Sequence, residues 1–333
     1  MSQIQFGCQF YTWQMSGRYV GKLPHILTVV EDAGFAGIEP ETCMLGDYYQ
    51  DSVILKHLLD RHSLQLGAIT LVCDWAGPVE TDEERGEAER LFDYLAAFPG
   101  THLMLCQMPG ADRSDLRRRQ GNAIACVNAV AARAVDRGIA CSFHPTSPPG
   151  SIFRVLEDYE IMLAGLDGRV VGYAPDTGHI AAGGFDVYPL LETYRSTIAH
   201  VHFKDIDAAG EWAAMGAGVL DFPRIVTMLR DTGYSGWIMV EEESVAAESE
   251  PDAATIANGE YLRQTIKELS WKNKLVTGEL SLNGKSASLS NITVPLLSVV
   301  AEHDHLVPYK CSEPLLDLVG SADKEEAPFK GGH

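Results

Sequence analysis

Apolar positions along this chain follow two alternating rhythms. Strand-type segments, with period-two alternation or a short continuous apolar run, fall at Ile4–Tyr11, Ala36–Glu41, Leu64–Cys73, His102–Gln107, Ile139–His144, Val170–Pro175, Ile198–Lys204 and Gly236–Glu241. Between them the spacing lengthens to i, i+3, i+4, i+7, as at Leu23, Ile26, Leu27 and Val30, a helical pattern closed by Gly34. The same rhythm covers Glu83–Phe98, Leu116–Arg137, Phe153–Leu166, Asp186–Tyr194, Phe222–Leu229 and Ala253–Leu269. Asp221 ahead of Phe222-Pro223 supplies an N-cap acceptor. Eight strand-type segments alternating with helices predict an α/β fold, a closed (β/α)8 TIM barrel over residues 1–270. The rival, an open doubly wound sheet, would carry G-x-G-x-x-G after its first strand, and none stands there.

The seventh strand departs from the apolar rule. Ile198–Asp205 reads I-A-H-V-H-F-K-D, so alternation sets His200, His202 and Lys204 on one face and Val201 and Phe203 on the other. A strand buried on both faces is normally apolar throughout. A lone H-x-H reads equally well as two hydrogen-bonded core histidines, but the neighbouring strand ends shift the balance. In a barrel, side chains at the C-terminal strand ends converge on one mouth. Those ends supply Glu39 and Glu41 from the second strand, Gln107 from the fourth, His144 from the fifth, and Asp176 with His179 beyond it from the sixth. The eighth adds Glu241 and Glu243. Carboxylates and imidazoles crowded into a dry mouth repel one another or shift their pKa values unless a cation sits among them. That donor set suits one divalent metal ion, Mn2+ or Co2+ by preference, with Mg2+, Fe2+ and Zn2+ also compatible. Taken singly, Asp176 is a helix cap and Glu241 part of a solvated E-E-E run. Their joint placement at successive strand ends favours the metal.

Charge and cysteines narrow the class. The 333 residues hold 26 Lys plus Arg against 46 Asp plus Glu, a formal charge of -20. Such a balance speaks against a nucleic-acid partner, because affinity for a phosphate backbone rests on many cationic contacts. Seven scattered cysteines form no C-x-x-C, and several sit inside apolar patterns that suit reduced, buried thiols. With no secretory leader and no apolar run near the ~18 residues of a membrane span, no membrane partner is expected and a cytoplasmic protein is.

The motifs also carry a resemblance. D-T-G-H-I-A-A-G-G at Asp176–Gly184, H-V-H-F-K-D at His200–Asp205, G-x-G-x-x-D-F at Gly216–Phe222 and G-W-I-M-V-E at Gly236–Glu241 resemble the xylose isomerase-like TIM barrel superfamily. Within it they are most similar to the sugar phosphate isomerase/epimerase and inosose dehydratase branch. The resemblance implies one divalent metal held by side chains of strands five to eight. Asp176, His202 and Glu241 match ligand positions, and His179 and Lys204 match polar residues of the site. His144, in C-S-F-H-P-T, stands where many isomerases and epimerases carry glutamate, and completes a ligand set of His144, Asp176, His202 and Glu241. Losing that glutamate breaks the symmetric two-glutamate pair of an epimerase. It tilts the expected chemistry toward abstraction of an α-proton from a keto-sugar or keto-polyol, followed by loss of a β-hydroxyl. Glu241 or Glu243 is the candidate base, and His144 or His179 the candidate acid. Lys204 completes the catalytic set, and Glu39, Gln107, His200 and Trp212 are expected to contact substrate. Trp13, Trp75 and Trp212 could each cover a sugar ring or simply pack. Barrels of this family often pair, so a homodimer is the assembly to look for. Asp176–Gly183 is also similar to endonuclease IV-type enzymes, which need a multi-metal cluster and a basic DNA track that this acidic chain does not suggest.

Residues 271–333 break the rhythm. A polar stretch, Asn273–Ser290, reads as a hairpin or loop, Ile292–Val300 as a strand, and the region around Ser312–Val319 as a helix. V-T-G-E-L-S-L-N-G, V-P-L-L-S-V-V-A-E-H-D-H-L-V-P and F-K-G-G-H resemble the C-terminal part of polyhydroxyalkanoate synthases, α/β-hydrolase-like acyltransferases. There Asp304 would match the acid and His333 the base. Neither G-x-C-x-G nor G-x-S-x-G occurs, so the nucleophile elbow is missing and a truncated or fused fragment, not a complete domain, is expected.

Overall fold

The computed structural model describes residues 4–282, 285–301, 303, 312 and 314–331. Eight parallel strands build the barrel: β1 (Ile4–Gln9), β2 (Gly37–Glu39), β3 (Gln65–Leu66 and Ala68–Cys73, interrupted at Gly67), β4 (His102–Gln107), β5 (Cys141–His144), β6 (Gly172–Tyr173), β7 (Val201–Phe203) and β8 (Gly236–Val240). Hydrogen bonding runs β3-β2-β1-β8-β7 along one arc and β3-β4-β5-β6 along the other. The arcs join where β3 passes through Gly67, and again where the parallel bridges Tyr173↔Ile198 and Asp176↔His202 link β6 to β7. The cylinder is therefore closed.

Period-two alternation decides what fills it. β8 turns Trp237, Met239 and Glu241 inward, and Trp237 and Met239 pack with Ala68 in the lower interior. Room for these two large side chains comes from glycine. A Cβ on Gly37 would stand 2.6 Å from the Trp237 ring, one on Gly67 2.6 Å from Met239 Cε, and one on Gly7 against Met239 Sδ. Three strands thus carry no side chain where the eighth carries its bulkiest, and together they plug the floor.

Helices sheathe the outside. Leu23–Asp32 buries Leu23, Ile26, Leu27 and Val30 against the strands, and Asp82–Leu95 starts from a capping box between Thr81 and Glu84. Ser52–Arg61, capped by Asp51, is a helix that periodicity did not single out. It buries Leu55, Leu58 and Leu59 while leaving Val53 and Ile54 more than half exposed, so its apolar stripe is blurred. β1 stops at Gln9, two residues earlier than the apolar run suggests, because Tyr11–Gln14 turns into a short helix.

Contacts divide the chain into two compact units, Met1–Tyr261 and Leu262–His333. In the second, Leu280–Leu282 pairs antiparallel with Lys285–Ala287, and Leu296–Ala301 pairs parallel with Lys324–Phe329. A short helix covers Leu315–Leu318. Cys311, Asp304 and His333 lie outside the described residues. Among the described residues, no helix is long and apolar enough to cross a membrane.

Candidate metal centre and active site

The upper ends of β5 to β8 bring four side chains together. His144, Asp176, His202 and Glu241 are all buried, and each offers a donor atom within 4.8 Å of the other three. Local structure aims them. Asp176 is the N-cap of Thr177–Ala182, and its Oδ1 accepts from the His179 N–H at 2.8 Å, which leaves Oδ2 facing the centre. His202 Nδ1 lies 3.0 Å from Glu241 Oε2 and 4.0 Å from Asp176 Oδ2.

The donor atoms themselves test whether an ion fits. His144 Nε2 and Asp176 Oδ2 are buried without a hydrogen-bond partner and lie 3.6 Å apart. Leaving a buried polar atom bare costs about 1–3 kcal/mol, and native interiors seldom do it. A divalent cation among two imidazoles and two carboxylates would give both atoms a partner of the type it prefers, adding at Asp176 Oδ2 to the Lys204 ammonium 3.5 Å away. A second trio of close donors, Glu39, His200 and His202, already consumes its lone pairs internally. The quartet is the group whose free donors fit an ion; the trio's are already engaged.

Lys204 is wholly buried against this acidic cluster. Its Nζ lies 3.0 Å from Glu241 Oε1, 3.5 Å from Asp176 Oδ2, and in a closer ion pair with Glu243. Burial alone would lower its pKa, but Asp176, Glu241 and Glu243 hold it well above the ordinary lysine value. Burial would likewise raise Asp176 and Glu241, yet Lys204 and the imidazoles keep both well below the usual carboxylate range. Glu243 differs: burial, opposed by Lys204 and reinforced by Glu241, pushes it up to about 7. His202 and His200 part company although both touch Glu39. Burial lowers each, but His202 sits between Glu39 and Glu241 and is raised to about 10, whereas His200 has one carboxylate and stays low. His179 is held down to about 3 by burial and by the Lys204 ammonium, which lies 3.3 Å from its Nε2.

Above the quartet opens a cavity of about 280 Å³. One wall carries Gln9, Tyr11, Gln14, Glu41, Glu241 and Glu243, and the other Thr70, Met104, Met108, His144, Thr146 and Pro148. Among the described residues, no lysine or arginine lines it. Sequence reasoning passed over Gln9, Tyr11, Gln14 and Thr146. The alternation of β1, extended past its end, already points Gln9 and Tyr11 toward the mouth.

Four residues expected to contact substrate are placed elsewhere. Glu39 and His200 lie a layer below the cavity, hydrogen-bonded to each other at 2.7 Å. Gln107 turns the wrong way, its Nε2 donating to the Asp74 carbonyl at 3.1 Å, because the inward residues of β4 are His102, Met104 and Cys106. Trp212 stands behind the site, its ring 5.2 Å from Lys204 Nζ and edge-on to His179. Trp13 is packed, donating to Asp252 at 2.8 Å, and Trp75 is 1% exposed.

A closed eight-stranded barrel with a mixed nitrogen–oxygen centre at its C-terminal mouth is the class that fold and site define. The chain belongs to the xylose isomerase-like TIM barrel family, whose sequence profile matches residues 27–265. It is similar to the rhizopine catabolism protein MocC of Rhizobium meliloti, 27% identical over 261 residues that cover 69% of this chain and 77% of that one. It is similar also to the inosose dehydratase of Clostridium botulinum, 24% identical over 267 residues covering 70% and 86%. Among solved structures, the IolI protein with a bound zinc atom shares the fold with a TM-score of 0.64 at 16% identity, over 80% of this chain and 99% of that one. Separately, 75 residues, 22% of the chain, are 40% identical to the poly(3-hydroxyalkanoate) polymerase subunit PhaC of Haloferax mediterranei, of which they span 15%.

Proposed function

We propose that the chain is a divalent-metal-dependent lyase of the inosose dehydratase kind. It removes the proton beside the carbonyl of an unphosphorylated keto-polyol or keto-sugar and expels a β-hydroxyl as water. The observation that carries this reading is the asymmetry of the cavity. In the closed strand order β5 stands opposite β1. The two carboxylates outside the donor quartet, Glu41 and Glu243, flank β1 from β2 and β8, while the facing wall offers His144, Thr146 and methionines. Epimerisation needs a proton-exchanging group on each side of the substrate carbon; elimination does not. The similarity to inosose dehydratase over most of both chains supports the same choice.

Bound at the quartet, a divalent ion, Mn2+ or Co2+ best suiting the mixed donors, supplies an electrophile for the carbonyl oxygen and so acidifies the α-proton. Glu241 faces the centre, which leaves Glu243 to take that proton while paired to Lys204. Both nitrogens of His179 are engaged, Nδ1 by Ser147 at 2.8 Å and Nε2 by Lys204, so it is not the acid. Glu41, steadied by the Gln14 side-chain N–H at 2.9 Å, gives a proton to the departing hydroxyl. The C–H and C–O bonds break, a C=C bond forms between the two carbons, and water leaves; Glu243 gains the proton from the α-carbon, and Glu41 loses one to the departing hydroxyl. Gln9 and Thr146 line the walls that substrate hydroxyls would face. A phosphate would find no cation on the cavity wall.

The test is to load the protein with Mn2+ or Co2+ and incubate it with inososes and keto-sugars in D2O. Loss of water is expected, with deuterium entering at the former β-carbon as the enol left by elimination from an α-hydroxy ketone ketonises. Deuterium entry without loss of water would make it an isomerase and sink the lyase reading.

A further inference from the structure

Glu39 is wholly buried one layer beneath the quartet and does not line the cavity above it. It accepts hydrogen bonds from Thr70 Oγ1 at 2.9 Å, from His200 Nε2 at 2.7 Å and from His202 Nε2 at 2.9 Å. Below it, His200 stacks on His102 with ring centroids 5.0 Å apart, and His102 Nε2 lies 2.8 Å from Ser142 Oγ. Barrel interiors are ordinarily filled by branched apolar side chains, and a carboxylate taken out of water there needs N–H or cationic partners to be stable. Its partners here are the far sides of two histidines. One of them, His202, presents its other nitrogen to Glu241 and Asp176.

We infer that Glu39 is a positioning residue: it keeps a proton on His202 Nε2 and fixes the ring so that Nδ1 is the atom offered to the cation. This rests on the metal-dependent reading of the site. The physical basis is that an imidazole bound to a carboxylate through one nitrogen has its tautomer and orientation set, and its other nitrogen made more basic. An uncharged amide makes the ring less basic and holds the proton on Nε2 only when its oxygen faces His202. The NH2 of Glu39→Gln can turn toward His202 Nε2, which then accepts and leaves the proton on Nδ1, the face the ion needs.

Affinity for Co2+, measured by competition with a chromophoric chelator, together with the visible spectrum of bound cobalt, tests the inference. Glu39→Gln is expected to bind Co2+ roughly 10- to 100-fold more weakly, with altered visible bands. Ser142→Ala, which removes another buried hydrogen bond of the same interior, is expected to keep both affinity and spectrum. Wild-type affinity and spectrum in Glu39→Gln, or an equal loss in Ser142→Ala, would overturn the positioning role. A crystal structure of metal-free Glu39→Ala separates this inference from the reading beneath it. His202 swung away from Glu241 supports positioning even if the wild type binds no cobalt, an outcome that removes the metal reading alone. A ring still 3.0 Å from Glu241 overturns positioning whatever cobalt does.

Discussion

Glu243 and Glu241 are two residues apart and face the same cavity, yet only one of them shares the donor quartet. Glu243 keeps its carboxylate against Lys204 instead. Glu243→Gln should therefore cut kcat by about 10²–10⁴ while leaving Co2+ affinity near the wild-type value, the loss expected of a positioned general base. Steady-state rates and chelator competition on the same preparation separate it from a ligand change. Deeper in the barrel, His102 carries a different consequence. Burial, aided by the stacked His200, holds its imidazole down to about 3. An unfolded histidine titrates near 6.5, so between these values the unfolded chain binds more protons than the folded one. Its contribution is complete above about pH 6.5 and declines as the pH falls toward 3, by at most about 1.4 kcal/mol per pH unit. Urea unfolding at pH 7, 5 and 4 should show a shallower decline for His102→Gln than for the wild type. Equal slopes would remove His102 as a cause.

Among the elements, the loop after β7 is held by one carboxylate. Asp205 accepts from the backbone N–H groups of Ile206 at 2.9 Å, Gly216 at 2.9 Å, Gly218 at 3.0 Å and Leu220 at 3.3 Å. Asp205→Ala strands four donors together. It should cost about 1–3 kcal/mol and lower Tm, with the fastest new hydrogen exchange at Gly216 and Gly218. The G-x-G-x-x-D-F motif was visible in the sequence, but not this latch, since it depends on a residue eleven positions upstream of the first glycine. The same division runs through the site. Strand-end position, with alternation along β7, put His202, Lys204, Asp176, Glu241 and His144 in one interior, where the structure also brings them together. Alternation does not tell height along the barrel axis, which depends on the stagger between strands. Glu39 is turned to His200 and His202, whereas Glu41, two residues further along and bridged to Thr70, reaches the cavity. Gln107 was legible and misread: it is out of phase with His102, Met104 and Cys106. Lys324–Phe329 was not legible at all, because K-E-E-A-P-F has no apolar alternation and becomes a strand only beside Leu296–Ala301.

At the scale of the whole molecule, every donor and every cavity-lining residue falls within Met1–Tyr261, and the helical run that begins at Pro251 ends at Trp271. A chain ending at Trp271 is expected to unfold cooperatively and to bind Co2+ as the full chain does. A molten product, or lost affinity, would show that the following residues support the barrel. The packing of Trp237 and Met239 over Gly7, Gly37 and Gly67 makes the barrel a cup and not a tube. On the proposed lyase reading, reactant, product and released water would share a single doorway, and none could depart from beneath while another arrives. Product should accordingly compete with fresh reactant for the same opening, raising the apparent KM and leaving the limiting rate untouched.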